Sequence, residues 1–304
     1  MSIAILGDGL AGLMLAARLV DQGQDVQVFG DGGSQTPPVG LVHLFAGRTF
    51  RRSALEQTVF ATATEYWRAC SQAREFTVQR QTPPGDRLER SLLHLDLPSH
   101  LTPRPLKAGW VEYGPGFAVE AQALEGDLRA QLGGGARIHT GRFALDDLPG
   151  QIKVLAVGCE ATRYLPDLSW DLSGGRVLRA SLTSPQEQIL IGSGLHSVPV
   201  GDGYQVVLGG RHSAKNGELH GDEISLAQAL TGQPHQAGDE WKGRRCSPQS
   251  DHRPVLGWLE EGRFAFFGFG SRALFWLPYC VERAVEALLE QGEGPEELSP
   301  QRFS

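Results

Sequence analysis

The sequence predicts an α/β chain (α+β overall) of two lobes, one wound about a parallel sheet and one built on a mostly antiparallel sheet. Three stretches predict it. Residues 2 to 31 run strand, glycine-rich turn, helix, strand. From Ser173 to Gly210 the texture changes to short strands punctuated by turn residues. From Arg263 onward the first logic returns: an apolar strand, glycines, then a helix to about Leu289.

The first stretch reads SIAILGDGLAGLMLAARLVDQGQDVQVFGD. Ser2 to Leu6, with β-branched Ile3 and Ile5, has the composition of a buried parallel strand. Gly7, Gly9 and Gly12 spell G-x-G-x-x-G. Leu10 to Leu19 continues with helical apolar spacing, and Val26 to Phe29 is a second strand, the context that motif requires. The glycines have separable reasons. Gly7 permits a tight turn, Gly9 lets a pyrophosphate approach the backbone, and Gly12 lets the helix pack close to the strand. Asp8, Leu10 and Ala11 complete the loop, and the helix N-terminus offers free N–H groups and a positive dipole end to phosphates. A dinucleotide site is expected. Such sites usually end the second strand on an acid that bonds the ribose hydroxyls. Gly30 stands there, and Asp31 follows, either as a ribose contact or as a turn residue in DGGSQ.

With 304 residues, 40% hydrophobic and 21% charged, the chain is long enough for two lobes and a sizeable core. Its net charge of -7 argues against a general polyanion binder, so nucleic acid is not an expected partner; Arg48, Arg51 and Arg52 form the one local basic cluster. The four cysteines are far apart and form no C-x-x-C, which reads as free thiols in a reducing compartment. The first strand begins at residue 2, and no apolar run reaches membrane-spanning length, so a cytoplasmic protein without membrane contact is expected. The nine histidines show no H-x-x-x-H and no Cys/His cluster, so no metal site is expected.

Between the outer motifs, Ala54 to Arg74 has helical spacing at Leu55, Val59, Phe60, Ala63, Tyr66 and Trp67. Ser91 to Leu97 and Trp110 to Tyr113 read as strands, Glu120 to Leu132 as a helix, and Arg137 to Thr140 and Ile152 to Val157 as strands. GGRVLRASLT, QEQILIG and GYQVVLGG are the strands of the middle sheet, and Asp222 to Leu230 is a short helix. The tail from Gly292 is polar and expected to fray.

Together these pieces resemble the FAD-dependent oxidoreductases of the D-amino-acid oxidase and glycine oxidase superfamily. Four places carry the resemblance: GDGLAG with its βαβ unit; VGLVHLFAGRTF; KVLAVG, residues 153 to 158; and RRCSPQSDHRPVLG followed by FFGFGSRAL. The spacer from Arg245 to Asp251 is one residue longer than the family's usual one. The Gly270-Ser271-Arg272 wording is similar to the flavin oxidase half of the bifunctional tRNA wobble-uridine modifying protein. The resemblance implies a Rossmann-like FAD-binding domain made of residues 1–50, 120–170 and 245–304. A mostly antiparallel substrate domain would comprise 51–119 and 171–244. It also implies noncovalent FAD and a small amine or amino-acid substrate, which loses a hydride from the carbon beside its nitrogen.

On that reading Gly7, Asp8, Gly9, Leu10, Ala11, Gly12, Gly30, Asp31, Ala156 and Gly158 would line the nucleotide. Gly270, Ser271, Arg272, Ala273 and Leu274, at the entry to the last helix, would turn N–H groups toward the flavin pyrimidine, with Ser271 an ordinary N-cap otherwise. His43 and Arg48 lie on the segment expected to run beside the flavin. A substrate carboxylate favours the planar, permanently charged fork of arginine, and Arg245 and Arg272 are the candidates; each could equally serve a structural ion pair. The catalytic candidates are therefore Arg245, Arg272 and His43, with Tyr204 and His212 on the middle sheet behind them.

Four other readings share part of the pattern. A flavin hydroxylase shares the first motif, but its last flavin helix follows a Gly-Asp-Ala-like turn where this chain has FGFGSRAL. An NAD-dependent dehydrogenase lacks the returning C-terminal strand and glycines. A flavin oxidase acting on a modified tRNA base would need a basic surface that a net acidic chain supplies poorly. An FAD-binding redox sensor without turnover would be separated by anaerobic bleaching with amines.

Overall fold

A computed structural model of the chain describes residues 2–33, 35–45, 53–82, 97–99, 101–133, 137–209, 212–213, 223–290 and 292–303. In chain order, β1 (Ser2–Leu6), α1 (Leu10–Asp21) and β2 (Asp25–Gly30) are followed by β3 (Gly40–His43), α2 (Ala54–Ala69) and β4 (Ala73–Gln81). Next come β5 (Arg104–Pro105), β6 (Trp110–Val119), α3 (Ala121–Gln131), β7 (Ile138–Thr140) and β8 (Ile152–Leu155). Five strands follow, β9 (Trp170–Leu182), β10 (Ile189–Gly192), β11 (Leu195–Val200), β12 (Gln205–Gly209) and β13 (His212–Ser213). The chain finishes with α4 (Glu223–Thr231), β14 (His235–Pro248), β15 (Val255–Glu260), β16 (Arg263–Phe267) and α5 (Ala273–Glu290). It is a mixed α/β fold of two compact units. Unit 1 comprises Met1–Thr36, Ala121–Ser173 and Arg244–Ser304, and unit 2 comprises Pro37–Glu120 and Gly174–Gly243.

Unit 1 holds a six-stranded sheet in the order β15-β16-β8-β1-β2-β7, parallel except for the β15–β16 hairpin. Its strands are apolar without alternation because both faces are covered: Ile3 to Leu6 and Phe264 to Phe267 are all buried. α1 turns Leu13, Met14, Leu15, Ala16, Ala17 and Leu19 inward, packs against α5, and Arg18 pairs with Glu282 at 2.8 Å.

The tail does not fray. Leu298 is fully buried, Trp258 Nε1 donates to the Gly292 carbonyl at 2.9 Å, and Arg302 pairs with Asp251 at 3.0 Å. Its polar residues are spent on partners 34 to 51 positions away, which local composition does not reveal.

Unit 2 is organised by a ten-stranded sheet in the order β13-β9-β12-β11-β10-β4-β6-β3, with β14 beside β9 and β5 beside β6. Among the described registers it is antiparallel except for β10 against β4. Gly40–His43, within the stretch 1–50 expected in the nucleotide domain, pairs antiparallel with β6, and unit 2 begins at Pro37. Residues 46–50 lie outside the described residues, as do most of Ser91 to Leu97 and the cluster Arg48, Arg51 and Arg52.

The helix expected over Ala54 to Arg74 ends at Ala69. A capping box sets its start: Ser53 Oγ accepts from Glu56 N at 3.2 Å and Ser53 N donates to Glu56 Oε2 at 3.1 Å. From Ala73 the chain is strand, burying Phe76, Val78 and Arg80 in alternation, a period of two that pairing with β6 enforces. β6 also runs on to Val119 rather than stopping at Tyr113, since it is paired on both sides, to β4 and β3. β11 (Leu195–Val200), between β10 and β12, is a strand the sequence reading passed over.

His196 on β11 faces Gly209 across the β11–β12 ladder, its Nε2 2.7 Å from where a Gly209 Cβ would stand. Burial pulls its pKa down to about 4. The folded state thus holds a neutral imidazole, whereas the unfolded chain takes up a proton from about pH 6.5. The stabilisation is fully present above that pH and is lost progressively as pH falls toward 4. At about 1.4 kcal/mol per unit, pH 5 should cost up to about 2 kcal/mol relative to pH 7. Urea unfolding of wild type and His196→Gln at both pH values checks this; an equal pH dependence in the two proteins would refute the assignment.

Candidate functional site

β1 delivers the chain to a turn at the centre of the unit 1 sheet. Gly7 has φ +120°, its N–H donates to Phe29 O at 2.7 Å, and a Cβ there would collide with the Ala156 carbonyl. A Cβ on Gly12 would collide with the Gly7 carbonyl, so the first turn of α1 can lie against the strand only as glycine. Gly9 differs. It is the N-cap of α1 with extended φ -78° and ψ 176°, and a Cβ there would meet nothing within 4 Å. The first helical bond runs from Leu13 N to Gly9 O, leaving the N–H groups of Leu10, Ala11 and Gly12 with no partner inside the helix. This loop sits where the strand order reverses: β2 and β7 extend to one side of β1, and β8 and β16 to the other. Crevices at such positions are where open parallel sheets bind ligands.

The neighbouring strand ends supply the other glycines. β8 leads to Ala156, whose N–H donates to Leu6 O at 2.8 Å, and to Gly158 at φ +53° with open space at its Cβ position. β16 leads to Gly268 and Gly270, at φ +78° and +59°, and a Cβ on Gly270 would stand 3.1 Å from Ser247 Cβ. The end of β14 therefore lies directly against this entry, and Cys246 Sγ donates to the Gly158 carbonyl at 3.1 Å. The buried Cys246 thiol has its pKa pushed up by its hydrogen bond with Cys159 and by burial; the same bond holds Cys159 below its ordinary value. None of the four cysteines forms a disulfide. Ser271, one reading of which was an N-cap, lies within a 3₁₀ turn, Gly270–Arg272, that precedes α5, and Ala273 and Leu274 open the helix itself.

Arg245 is half-buried on β14. Its Nε donates to Ser173 Oγ at 2.7 Å, and desolvation lowers its pKa to about 10, partly offset by Asp171. Arg272 lays its guanidinium over the Phe275 ring at 4.1 Å and over Trp276 at 5.6 Å. His43 belongs to unit 2, where it is buried with Nδ1 2.9 Å from the Tyr113 hydroxyl. Tyr204 is exposed at the turn between β11 and β12, and Arg48 lies outside the described residues. Asp31 is exposed, and its carboxylate accepts the Gly33 N–H at 2.9 Å, which is turn geometry. One participant went unread in the sequence. Arg129 on α3 donates from Nη2 to the Asp8 carbonyl at 2.6 Å and to Asp8 Oδ2 at 3.2 Å. Among the described residues, no group of three or more His, Cys, Asp or Glu could hold a metal, and no helix is long and apolar enough to cross a membrane.

No protein-family model matches the chain, and no curated protein matches it. Solved structures do. Iminodiacetate oxidase from Chelativorans sp. BNC1 superposes with a TM-score of 0.76 at 17% identity, covering 98% of each chain. Glycine oxidase from Geobacillus kaustophilus gives 0.77 at 17% identity, over 98% of this chain and 97% of that one. L-proline dehydrogenase from P. horikoshii gives 0.73 at 12% identity, over 99% and 97%. The chain shares the fold of these enzymes.

The residues present fit an FAD. Gly9 leaves vacant the space that a side chain would fill, beside the free end of a twelve-residue helix. Gly158 opens a second gap within the same unit, beyond the adjacent strand β8.

Proposed function

We propose that the chain is a noncovalent FAD-dependent oxidoreductase acting on a small amine or amino acid. The observation that carries this reading is the open space at Gly9 beside the α1 N-terminus, set in a fold shared with an iminodiacetate oxidase and a glycine oxidase. FAD, when bound, supplies the acceptor for a hydride from the carbon beside the substrate nitrogen. The chain's own residues bind and orient. The N–H groups of Leu10, Ala11 and Gly12 hold the pyrophosphate, and the backbone entering α5 from Gly270 supports negative charge on the isoalloxazine by roughly 0.3 to 2 kcal/mol. Arg245 holds the substrate carboxylate: desolvation raises the strength of any ion pair it makes, and the Ser173 hydroxyl fixes its fork. Arg272, lying on aromatic faces, has its plane set for a second contact or for shaping the flavin edge. We assign no proton transfer to His43, whose Nδ1 is engaged by Tyr113.

The purified protein should carry a yellow chromophore that heat or acid releases into the supernatant as FAD. Anaerobic titration against a panel of amino acids and secondary amines should bleach it with at least one of them. A colourless protein that FAD cannot reconstitute would remove the whole reading. A yellow protein that no amine bleaches would leave a flavin-binding protein without this activity.

A further inference from the structure

Gly30 ends β2 where an acid ordinarily meets the ribose hydroxyls, and Asp31 is spent on its own turn. The volume that a side chain at position 30 would occupy is nevertheless filled. A Cβ built on Gly30 falls on the carboxylate of Asp8, clashing with Oδ1, Cγ and Cβ. Asp8 is only 5% exposed, although it belongs to the loop whose helix end would face a pyrophosphate. A carboxylate in such a loop repels a bound phosphate unless it is turned aside and neutralised. Both conditions are met here. Arg129 draws Oδ2 at 3.2 Å and the Asp8 carbonyl at 2.6 Å, and is itself held by Glu125 at 3.1 Å. Oδ1 is left against the end of β2.

We propose that Asp8, fixed by Arg129, is the acceptor for the vicinal diol of the adenosine ribose, the carboxylate having moved from the end of β2 into the phosphate loop. Gly30 is then glycine because Asp8 needs its space, and Arg129 is a positioning residue. This rests on the FAD reading above. It also predicts which pairs of substitutions compensate. Gly30→Glu alone forces two carboxylates into one volume, whereas Asp8→Gly with Gly30→Glu restores a single acid at the strand end.

The test is equilibrium binding to apoprotein, followed by quenching of flavin fluorescence, with FAD and with FAD lacking the adenosine 2′-hydroxyl. Asp8→Asn should weaken FAD by about tenfold to a hundredfold, the worth of a hydrogen bond to a charged group. The deoxy analogue should lose much less, and Asp8→Gly/Gly30→Glu should recover most of the affinity that Asp8→Gly loses. Thermal unfolding of each apoprotein reports separately on damage to the Asp8–Arg129 pair. Equal losses on FAD and on the deoxy analogue would overturn the proposal, making Asp8 structural, while the FAD reading stood. Wild-type protein that binds neither ligand would remove that reading itself.

Discussion

Gly9→Val should purify folded and free of flavin. Gly9 already has extended φ and ψ that any residue adopts, and beyond its chain neighbours no protein atom lies within 4 Å of its missing Cβ, so a β-carbon there meets no obstacle in the apoprotein. What it would meet is the pyrophosphate. The variant should lose FAD occupancy almost completely. Its stability should lie near that of wild-type apoprotein, lowered slightly because valine caps a helix less well than glycine, and below that of the holoprotein by the linkage contribution, about 2.7 kcal/mol at a hundredfold excess of ligand over Kd. Gly12→Val is the informative contrast. Its Cβ collides with the Gly7 carbonyl, so it should fail to fold whether or not FAD is supplied. Full flavin occupancy in Gly9→Val, measured as the ratio of flavin to protein absorbance, would mean that the phosphate loop lies elsewhere.

Arg245→Ala should discriminate between substrates that carry a carboxylate and those that do not. A cation already desolvated to a pKa of about 10 binds a carboxylate at reduced further cost, and truncating it leaves the substrate charge unpaired. The expected penalty is roughly 2 to 5 kcal/mol, or about thirty-fold to several-thousand-fold in affinity. The decarboxylated amine should lose little, and the flavin spectrum should move little. Anaerobic half-reaction kinetics on the acid and its amine, for Arg245→Ala and Arg272→Ala, provide the comparison. Arg272→Ala should disturb both substrates, since removing a guanidinium stacked on Phe275 alters the turn that opens α5. Equal losses on acid and amine in Arg245→Ala would make Arg245 structural.

What could be read from the sequence was what the chain encodes locally. Gly7, Gly9 and Gly12 announce a turn, a gap and a close approach because each missing Cβ has a different backbone consequence, and the flanking apolar runs fit only a strand–helix–strand unit. Partnerships across the chain could not be read. Arg129 looks like any basic residue on an amphipathic helix, and its engagement with Asp8, 121 positions away, leaves no local trace. The same holds for Arg302 and Asp251, which order a tail of polar composition. The helical spacing through Trp67 carries the helix expectation on to Arg74, two residues into the strand Ala73–Gln81, and the rest of that strand has an alternation that only sheet pairing reveals. Asp31 and Gly30 show the limit most clearly. One acid sits beside the expected position and is occupied with a turn, while the acid that fills the space comes from an earlier loop.

The interleaving of the two units bears on how a ribosome delivers this protein. β1 emerges well before its neighbour β8, which ends at residue 155, and before β16, which covers the far edge of β8 and ends at residue 267. Until then the central strands of unit 1 present an unpaired apolar edge. Unit 2 is also incomplete until Gly174–Gly243 has joined Pro37–Glu120. Neither unit can close while its later segments are still in the exit tunnel, so both finish folding late, unit 2 after Gly243 and unit 1 after the segment that follows it has emerged. Slow, non-local sheet assembly of this kind invites aggregation of nascent chains. Slowing translation within the first 150 residues should therefore do less for soluble yield than chaperones that shelter the finished chain.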